Sequence, residues 1–225
     1  MKKYISILIQ VMLFIFPWII RYRLLNLFLN VKIDKSAHVG FSIILARSGR
    51  MDKNSKIMNL TFINEIDKFI MREDSKIGSK NWITGSSAEL KKGYAASPNR
   101  KCEFILGVHA RITGNHHFDC NGGVYIGDFT TIAGKDSQVL THGIDLVENV
   151  QKAGSVEIGD FCFVGTKSLF LMNSSLPDYS LLAAGALVNK RHQDSYGIYA
   201  GVPAKKVKIL PKESKYFHRK HGNVN

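Results

Sequence analysis

A histidine beside a break in a regular sequence pattern is the first candidate for chemistry in this chain. His142, in LTHGID, stands where short repeats end and an insertion that we expect to be irregular, Ile144 to Ser155, begins. The pKa of histidine lies near neutrality, so its imidazole can take a proton from a hydroxyl group that would otherwise be a poor nucleophile. The sequence therefore indicates a general base at His142, and a surface or capping role is the alternative.

A second polar cluster, NHHFD at residues 115–119, precedes this histidine. His116 or His117 could transfer a second proton or donate a hydrogen bond to a developing oxyanion. A polar turn between strands would explain the same residues. The sequence leaves both interpretations open.

The structure that must position these side chains is indicated by a spacing of six. Neither a helix nor a flat sheet needs that spacing, since their side-chain periods are about 3.6 and 2. A period of six is typical of a chain folded into a triangular prism, in which each short strand forms one face and stacked coils share an apolar core. We therefore predict an all-β fold, a parallel β-helix of hexapeptide repeats, over residues 31–210. The longest run is Ile158, Val164, Phe170, Leu176, Leu182 and Val188.

The same spacing recurs upstream, more loosely toward the N-terminus. A β-sandwich of short strands is the alternative fold, and it would show period-2 alternation with a turn every 8–12 residues or so. The upstream positions are Ile126 and Ile132; Leu106, Ile112 and Phe118; Met71, Ile77 and Ile83; Met51, Ile57 and Ile63; and Ile33 with Val39.

Composition narrows the class of protein. The chain has 225 residues, 45% of them hydrophobic, which can fill the core of one elongated domain. Its cysteines, Cys102, Cys120 and Cys162, have no paired spacing, which favours a reducing compartment over disulfides. A net charge of +13 favours an anionic membrane or anionic ligands. No nucleic-acid-binding, P-loop or dinucleotide-binding motif is present, and we expect no nucleic acid partner.

The N-terminal residues 1–30 differ in kind from the repeats. Seventeen residues from Tyr4 to Ile20 are interrupted by Gln10 and flanked by basic residues. As one helix they would reach about 25 Å, at the short limit for crossing a bilayer, and no small-residue cleavage site follows. We expect a membrane-associated helix that lies in or spans the bilayer, with Trp18 near the headgroups. A helix packed against protein is the alternative. Residues 211–225 are expected to form a short basic C-terminal extension.

Several segments carry a resemblance to a known family. IGDFTTIAGKDSQVLTHGID, SVEIGDFCFVG, LLAAGALVNK and YAGVPAKKVKIL, within about residues 105–210, resemble the hexapeptide acyltransferase superfamily. They are similar to the galactoside/maltose-type O-acetyltransferases and to acetyltransferases of polysaccharide biosynthesis. FPWIIRYRLLNLFLNVKI resembles the helix that precedes the first coil in membrane-associated members. The resemblance implies a left-handed β-helix, a homotrimer, and acetyl-CoA bound between neighbouring subunits.

The resemblance also implies site residues. His142 takes the place of the family's catalytic histidine, although the order here is Thr-His-Gly where the family has Thr-Gly-His. Asn115 and Asp119 match an Asn and an Asp that contact substrate and cofactor. Small residues would line the pantetheine arm of coenzyme A and lysines would face its phosphates, although lysines near the end of a β-helix also simply solvate it. These candidates are Thr166, Ala184, Gly185, Asn189, Lys190, Lys205 and Lys208.

We interpret the sequence as an O-acetyltransferase that transfers acetyl from acetyl-CoA to a sugar hydroxyl in cell-surface polysaccharide or lipid-linked glycan synthesis. It would act at the cytoplasmic face of the cell membrane, where acetyl-CoA is available, without a metal. N-acetylation of an amino sugar is the runner-up. A hydratase similar to the γ-class carbonic anhydrases is a further alternative. It would need three histidine ligands, and the stretch IAGKDSQVLTHG contains one, His142. A non-catalytic β-helix scaffold is the remaining alternative.

Overall fold

The computed structural model describes residues 2–89 and 93–224. Two helices, α1 (Lys2–Met12) and α2 (Trp18–Phe28), precede the strands, and short 3₁₀ turns lie at Leu13–Ile15 and Lys215–His218. The first strands are β1 (Val31–Ile33), β2 (His38–Val39), β3 (Ile43–Met51), β4 (Lys56–Ile57), β5 (Phe62–Met71), β6 (Lys76–Ile77), β7 (Trp82–Thr84), β8 (Glu103–Leu106), β9 (Arg111–Ile112), β10 (His117–Asp119), β11 (Val124–Ile126) and β12 (Thr131–Ile132). They are followed by β13 (Gln138–Leu140), β14 (His142–Asp145), β15 (Val150–Ala153), β16 (Val156–Ile158), β17 (Phe163–Val164), β18 (Leu169–Leu171), β19 (Ser174–Leu176), β20 (Leu181–Leu182), β21 (Leu187–Val188), β22 (Gly197–Ala200) and β23 (Lys205–Ile209).

Parallel ladders of short strands form the three faces of a prism. The first face carries β8, β11, β16 and β19, the second carries β2, β4, β6, β9, β12, β17, β20 and β22, and the third carries β7, β10, β13, β18 and β21. The longer strands β3 and β5 bend from the third face into the first. This is the predicted left-handed parallel β-helix. We call the corner between the first and second faces the first corner, that between the second and third the second corner, and that between the third and first the third corner.

The inward positions predicted from the spacing of six are confirmed. All six residues of the longest run are 2% exposed or less. The upstream positions, including those of the loosely patterned N-terminal coils, are buried as well. One aliphatic or aromatic side chain per face therefore fills the core along its whole length, as the repeat requires.

Side chains from the two helices close the N-terminal end of this core. The Gln10 amide donates to the carbonyl oxygen of Ile44 at 3.0 Å and accepts from its N–H at 2.9 Å. The Asn26 amide pairs with the backbone of Ile33 in the same way, at 3.1 and 2.8 Å. Arg21, which is buried, donates to the carbonyl oxygen of Gly40 at 3.2 Å. Since an exposed strand edge is a template for further pairing, α1 and α2 act as a cap that satisfies the first coil.

The expectation of a single helix over residues 4–20 is wrong, because the helical conformation is interrupted at Phe16–Pro17. Phe16 is extended, with φ −89° and ψ 146°, as the residue before a proline prefers, and α2 starts after Pro17. Each helix has eleven residues. Among the residues described, no helix combines the length and the apolar character needed to cross a bilayer. Trp18 is half-buried against His38, with ring centroids 4.6 Å apart, and so faces the coils.

The C-terminal extension folds back along the first corner. That corner presents a stack of four aromatic rings, whose neighbouring centroids lie 4.7–5.3 Å apart: Phe129, Phe161, Tyr179 and Tyr196. Phe217 packs edge-on against the last two rings, and the Tyr216 hydroxyl donates to the carbonyl oxygen of Cys162 at 2.9 Å. The segment thus contributes to the packed structure through its aromatic residues.

Candidate active site

The third corner holds two insertions that separate regular coils, the first described at residues 85–89 and 93–102 and the second at residues 142–153. The second was expected to be irregular, and this expectation is wrong: β14 and β15 form an antiparallel hairpin in which His142 pairs with Ala153. The turn forms because the Asp145 carboxylate accepts from the N–H groups of Val147 and Glu148, at 3.0 and 3.2 Å. His142 therefore stands on the first residue of a regular strand.

His142 is held by a carboxylate. Its Nδ1 lies 2.5 Å from Oδ2 of Asp119, which ends β10 on the preceding coil. The Asp119 side chain is 6% exposed, whereas the His142 side chain is 37% exposed. Because Nδ1 faces the carboxylate, Nε2 is the nitrogen left to exchange a proton with another molecule.

Asp119 is itself fixed by neighbouring donors. Its Oδ2 accepts from the Thr141 N–H at 2.9 Å, and its Oδ1 accepts from the Asn121 side-chain amide at 2.5 Å. The Thr141 hydroxyl in turn accepts from the Gly122 N–H at 2.8 Å. A Cβ at Gly122 would come within 2.6 Å of the Gly154 backbone, so glycine is required for the hairpin base to approach. These contacts fix the carboxylate, and hence the imidazole, in one orientation.

The pair shifts both pKa values in opposite directions. The hydrogen bond to Asp119 raises the pKa of His142, although partial burial opposes this effect. Burial alone would raise the pKa of Asp119, but hydrogen bonds from His142 and from the Asn121 N–H outweigh it and lower that pKa. Asp119 is therefore charged when His142 is neutral, and it stabilises the imidazolium that forms when His142 accepts a proton.

The first insertion packs against one side of the His142 ring. The Tyr94 ring meets the His142 ring edge-on, with centroids 6.2 Å apart. The Arg100 guanidinium lies 4.0 Å above the Tyr94 ring and donates to the carbonyl oxygens of Ser86 and Asn121, at 2.7 and 3.2 Å. Arg100 is buried, so these contacts tie the insertion to the residues that hold Asp119.

The other residues predicted for catalysis lie elsewhere. Asn115 and His116 are at the second corner, at the opposite end of β10 from Asp119. His116 is buried; its Nδ1 accepts from the Ser137 N–H at 3.1 Å and its Nε2 lies 2.9 Å from Oγ1 of Thr113. Burial lowers the pKa of His116 to about 4, so this imidazole is neutral near pH 7. The structure does not bring Asn115 and His116 to His142 within one chain.

The candidate coenzyme A residues divide among three places. Gly185 donates its N–H to the carbonyl oxygen of Thr166 at 2.9 Å, so these residues are neighbours on successive coils. Gly185 has φ of 72° and open space where a Cβ would be, which leaves the backbone accessible. The second-corner candidates are Thr166, Ala184 and Gly185; the third-corner candidates are Asn189 and Lys190, two coils beyond His142; Lys205 and Lys208 lie on β23, at the C-terminal end of the second face.

Sequence reasoning missed several residues of this site. Asn121 lies in CNGGV, directly before a pair of glycines, and this polar residue beside the pair was the available signal. Tyr94 and Arg100 lie in the insertion at residues 85–102, which shows no spacing of six. In the described part of the chain, no group of three or more His, Cys, Asp or Glu side chains is arranged to hold a metal ion.

Solved structures share this architecture. The polysialic acid O-acetyltransferase OatWY has a TM-score of 0.61 at 15% identity, over 82% of this chain and 87% of its own. The polySia-specific acetyltransferase NeuO has a TM-score of 0.51 at 19% identity, over 82% and 89%. A mutant of AntD, an N-acyltransferase from Bacillus cereus, in complex with dTDP and coenzyme A, has a TM-score of 0.51 at 16% identity, over 84% and 86%. At these identities the likeness shows the fold. No protein-family model matches the sequence.

Proposed function

We propose that this protein transfers an acetyl group from acetyl-CoA to a hydroxyl group of a saccharide, with His142 as the general base. The observation that carries the proposal is the His142–Asp119 pair, in which a buried carboxylate orients a half-exposed imidazole. Acyl transfer to a hydroxyl needs such a base, because the neutral hydroxyl is a weak nucleophile. The fold shared with a polysialic acid O-acetyltransferase supports the choice of a saccharide acceptor.

The reaction follows from the roles of the two side chains. Nε2 of His142 removes the acceptor's hydroxyl proton as the oxygen attacks the thioester carbonyl carbon. A C–O bond forms, the C–S bond breaks, and the proton then passes from the imidazolium to the departing sulfur. Asp119 stays ionised and stabilises the imidazolium, as the carboxylate of a catalytic triad does.

We further propose that the site is completed by a second copy of the chain in a homotrimer. Within one chain, His142 is at the third corner while Thr166, Ala184 and Gly185 are at the second, with the third face between them. Small, open residues at the second corner suit the approach of a pantetheine arm. Packing the second corner of one subunit against the third corner of its neighbour would join the two halves of the site.

Mass spectrometry of surface glycan from cells with and without the protein tests this function. We expect one additional acetyl unit per repeating saccharide when the protein is present. Mild alkali should remove that acetyl group, since it cleaves esters and leaves amides. An alkali-stable acetyl group would instead show N-acetylation, and glycans with identical acetyl content would contradict the proposed function.

A further inference from the structure

The outer side of the helical cap is apolar. Of the 21 large hydrophobic side chains that are exposed in the described residues, eleven lie between residues 4 and 28. Leu8 is 60% exposed and Ile15 is 81% exposed. The complete set is Tyr4, Ile5, Leu8, Val11, Met12, Ile15, Phe16, Ile19, Ile20, Leu27 and Phe28. Such a concentration of exposed apolar side chains at one end of the molecule indicates an interaction surface.

The cap has its polarity reversed relative to a water-facing helix pair. Gln10, Arg21 and Asn26 point inward and bond the first coil, while aliphatic and aromatic side chains point outward. The apolar face continues onto the coils through Phe41, whose ring lies edge-on to that of Phe14 at 5.2 Å and is half exposed. The contacts with the first coil explain why Gln10, Arg21 and Asn26 are polar. They do not explain why the outer face of the cap is apolar.

Positive charge is concentrated at the same end of the molecule. The first 60 residues contain ten Lys and Arg but two Asp and Glu, which gives eight of the thirteen net positive charges of the chain. Lys32, Lys35 and Lys56 are exposed on the first two coils, next to the cap. An apolar face beside a basic rim matches the interface of a bilayer that contains anionic lipids.

We propose that the capped end is a docking surface for an anionic lipid bilayer, on which the β-helix stands with its axis along the membrane normal. The break at Pro17 gives two short helices. Both contact the first coil, through the side chains of Gln10 and Asn26, and both carry exposed apolar side chains. The apolar side chains enter the headgroup region to a depth of about 5–10 Å. Arg23, exposed on the outer side of α2, extends its charged end toward the headgroups.

The charge distribution favours a bilayer over a second copy of the chain. Two capped ends meeting face to face would bring together surfaces of the same positive sign, whereas an anionic leaflet neutralises them. The cytoplasmic leaflet supplies anionic lipid on the side where acetyl-CoA is available. That choice of leaflet rests on the proposed function, but the docking itself does not.

Flotation of the purified full chain with vesicles tests the docking without an activity assay. The vesicles would be phosphatidylcholine with about 30% phosphatidylglycerol, compared with phosphatidylcholine alone. We expect the wild-type protein to float with the anionic vesicles, and the double variant Leu8→Glu/Ile15→Glu to bind at least about tenfold more weakly. Both side chains are exposed, so the variant should keep the wild-type thermal unfolding curve.

The matched control is Val207→Glu/Ile209→Glu, which adds the same charge at β23, at the opposite end of the second face. Val207 and Ile209 are 62% and 67% exposed. The control should bind anionic vesicles like the wild type. Wild-type protein that stays out of the floating fraction, or a Leu8→Glu/Ile15→Glu variant that binds equally well, would overturn the proposal. The mass of the protein in vesicle-free solution is a further check. If Leu8→Glu/Ile15→Glu has half the mass of the wild type, the proposal is overturned in favour of end-to-end pairing of two copies.

Discussion

At the scale of single residues, the proposed chemistry depends on one hydrogen bond. Oδ2 of Asp119 lies 2.5 Å from Nδ1 of His142, and the Asp119 carboxylate also accepts hydrogen bonds from Thr141 and Asn121. This contact raises the pKa of His142. The proposed base would be protonated and inactive below that pKa, and neutral above it. Activity should therefore rise with pH through the pKa of His142.

Replacing Asp119→Asn tests this contact. The amide removes the charge that favours the imidazolium, so the pKa of His142 falls and the acidic limb of the kcat/KM profile moves to lower pH. Turnover should fall by about 10²-fold or more, since the imidazolium is no longer stabilised. Asp145→Asn is the control, because this carboxylate pairs with Lys152 on the same hairpin and does not contact His142. If the acidic limb of Asp119→Asn stays at the wild-type pH, Asp119 does not influence the pKa of the base.

His116 should contribute to stability rather than to chemistry. Burial lowers its pKa to about 4, below the ordinary histidine value of about 6.5. Below about pH 6.5, the unfolded chain binds a proton at His116 that the folded chain does not bind. The free energy of unfolding is therefore undiminished by this group above that pH, and it declines as the pH falls toward 4. His116→Gln should remove on the order of 2–3 kcal/mol of this decline. Urea unfolding across that pH window measures it. A variant with the wild-type pH slope would contradict the assignment, as would one with a hundredfold loss of turnover.

At the scale of elements, the helical cap replaces the coil that would otherwise precede the first strand. Gln10 supplies both the donor and the acceptor that the backbone of Ile44 requires. Gln10→Ala should lower the free energy of unfolding by about 1–3 kcal/mol, because it leaves a buried N–H and a buried carbonyl unpaired. Urea denaturation at one fixed protein concentration measures the loss. Tyr4→Ala, on the exposed side of the same helix, is the control, and an equal loss in both variants would refute the capping role.

The spacing of six predicted the core because each coil must repeat the same inward position. That constraint is local, and it placed buried residues such as Ile57 and Val188 correctly. The cap contacts are not local: Gln10 meets Ile44 across 34 residues, and nothing in the polarity of a single glutamine specifies that partner. The sequence also indicated His142 as a candidate base, but it did not predict the contact of His142 with Asp119. The hairpin and the coil register together bring these two side chains into contact across 23 residues.

At the scale of the whole molecule, the proposed trimer predicts complementation between inactive variants. His142→Ala removes the base, and Ala184→Trp fills the open second corner. If each site combines the third corner of one subunit with the second corner of another, randomly mixed trimers should recover about a quarter of wild-type activity. Joint refolding of equal amounts, followed by an acetyl transfer assay, measures this recovery. Activity no greater than the mean of the separate variants would place the whole site within one chain.

The central claim is that His142 is the base for acetyl transfer to a saccharide. The most direct test measures acetyl transfer from acetyl-CoA to isolated surface glycan by the wild-type protein and by His142→Ala. We expect turnover to fall by about 10²–10⁴-fold while acetyl-CoA still binds. His117→Ala, which removes an exposed histidine from the third face, should keep wild-type turnover. Turnover by His142→Ala equal to that of the wild type would contradict the proposed mechanism.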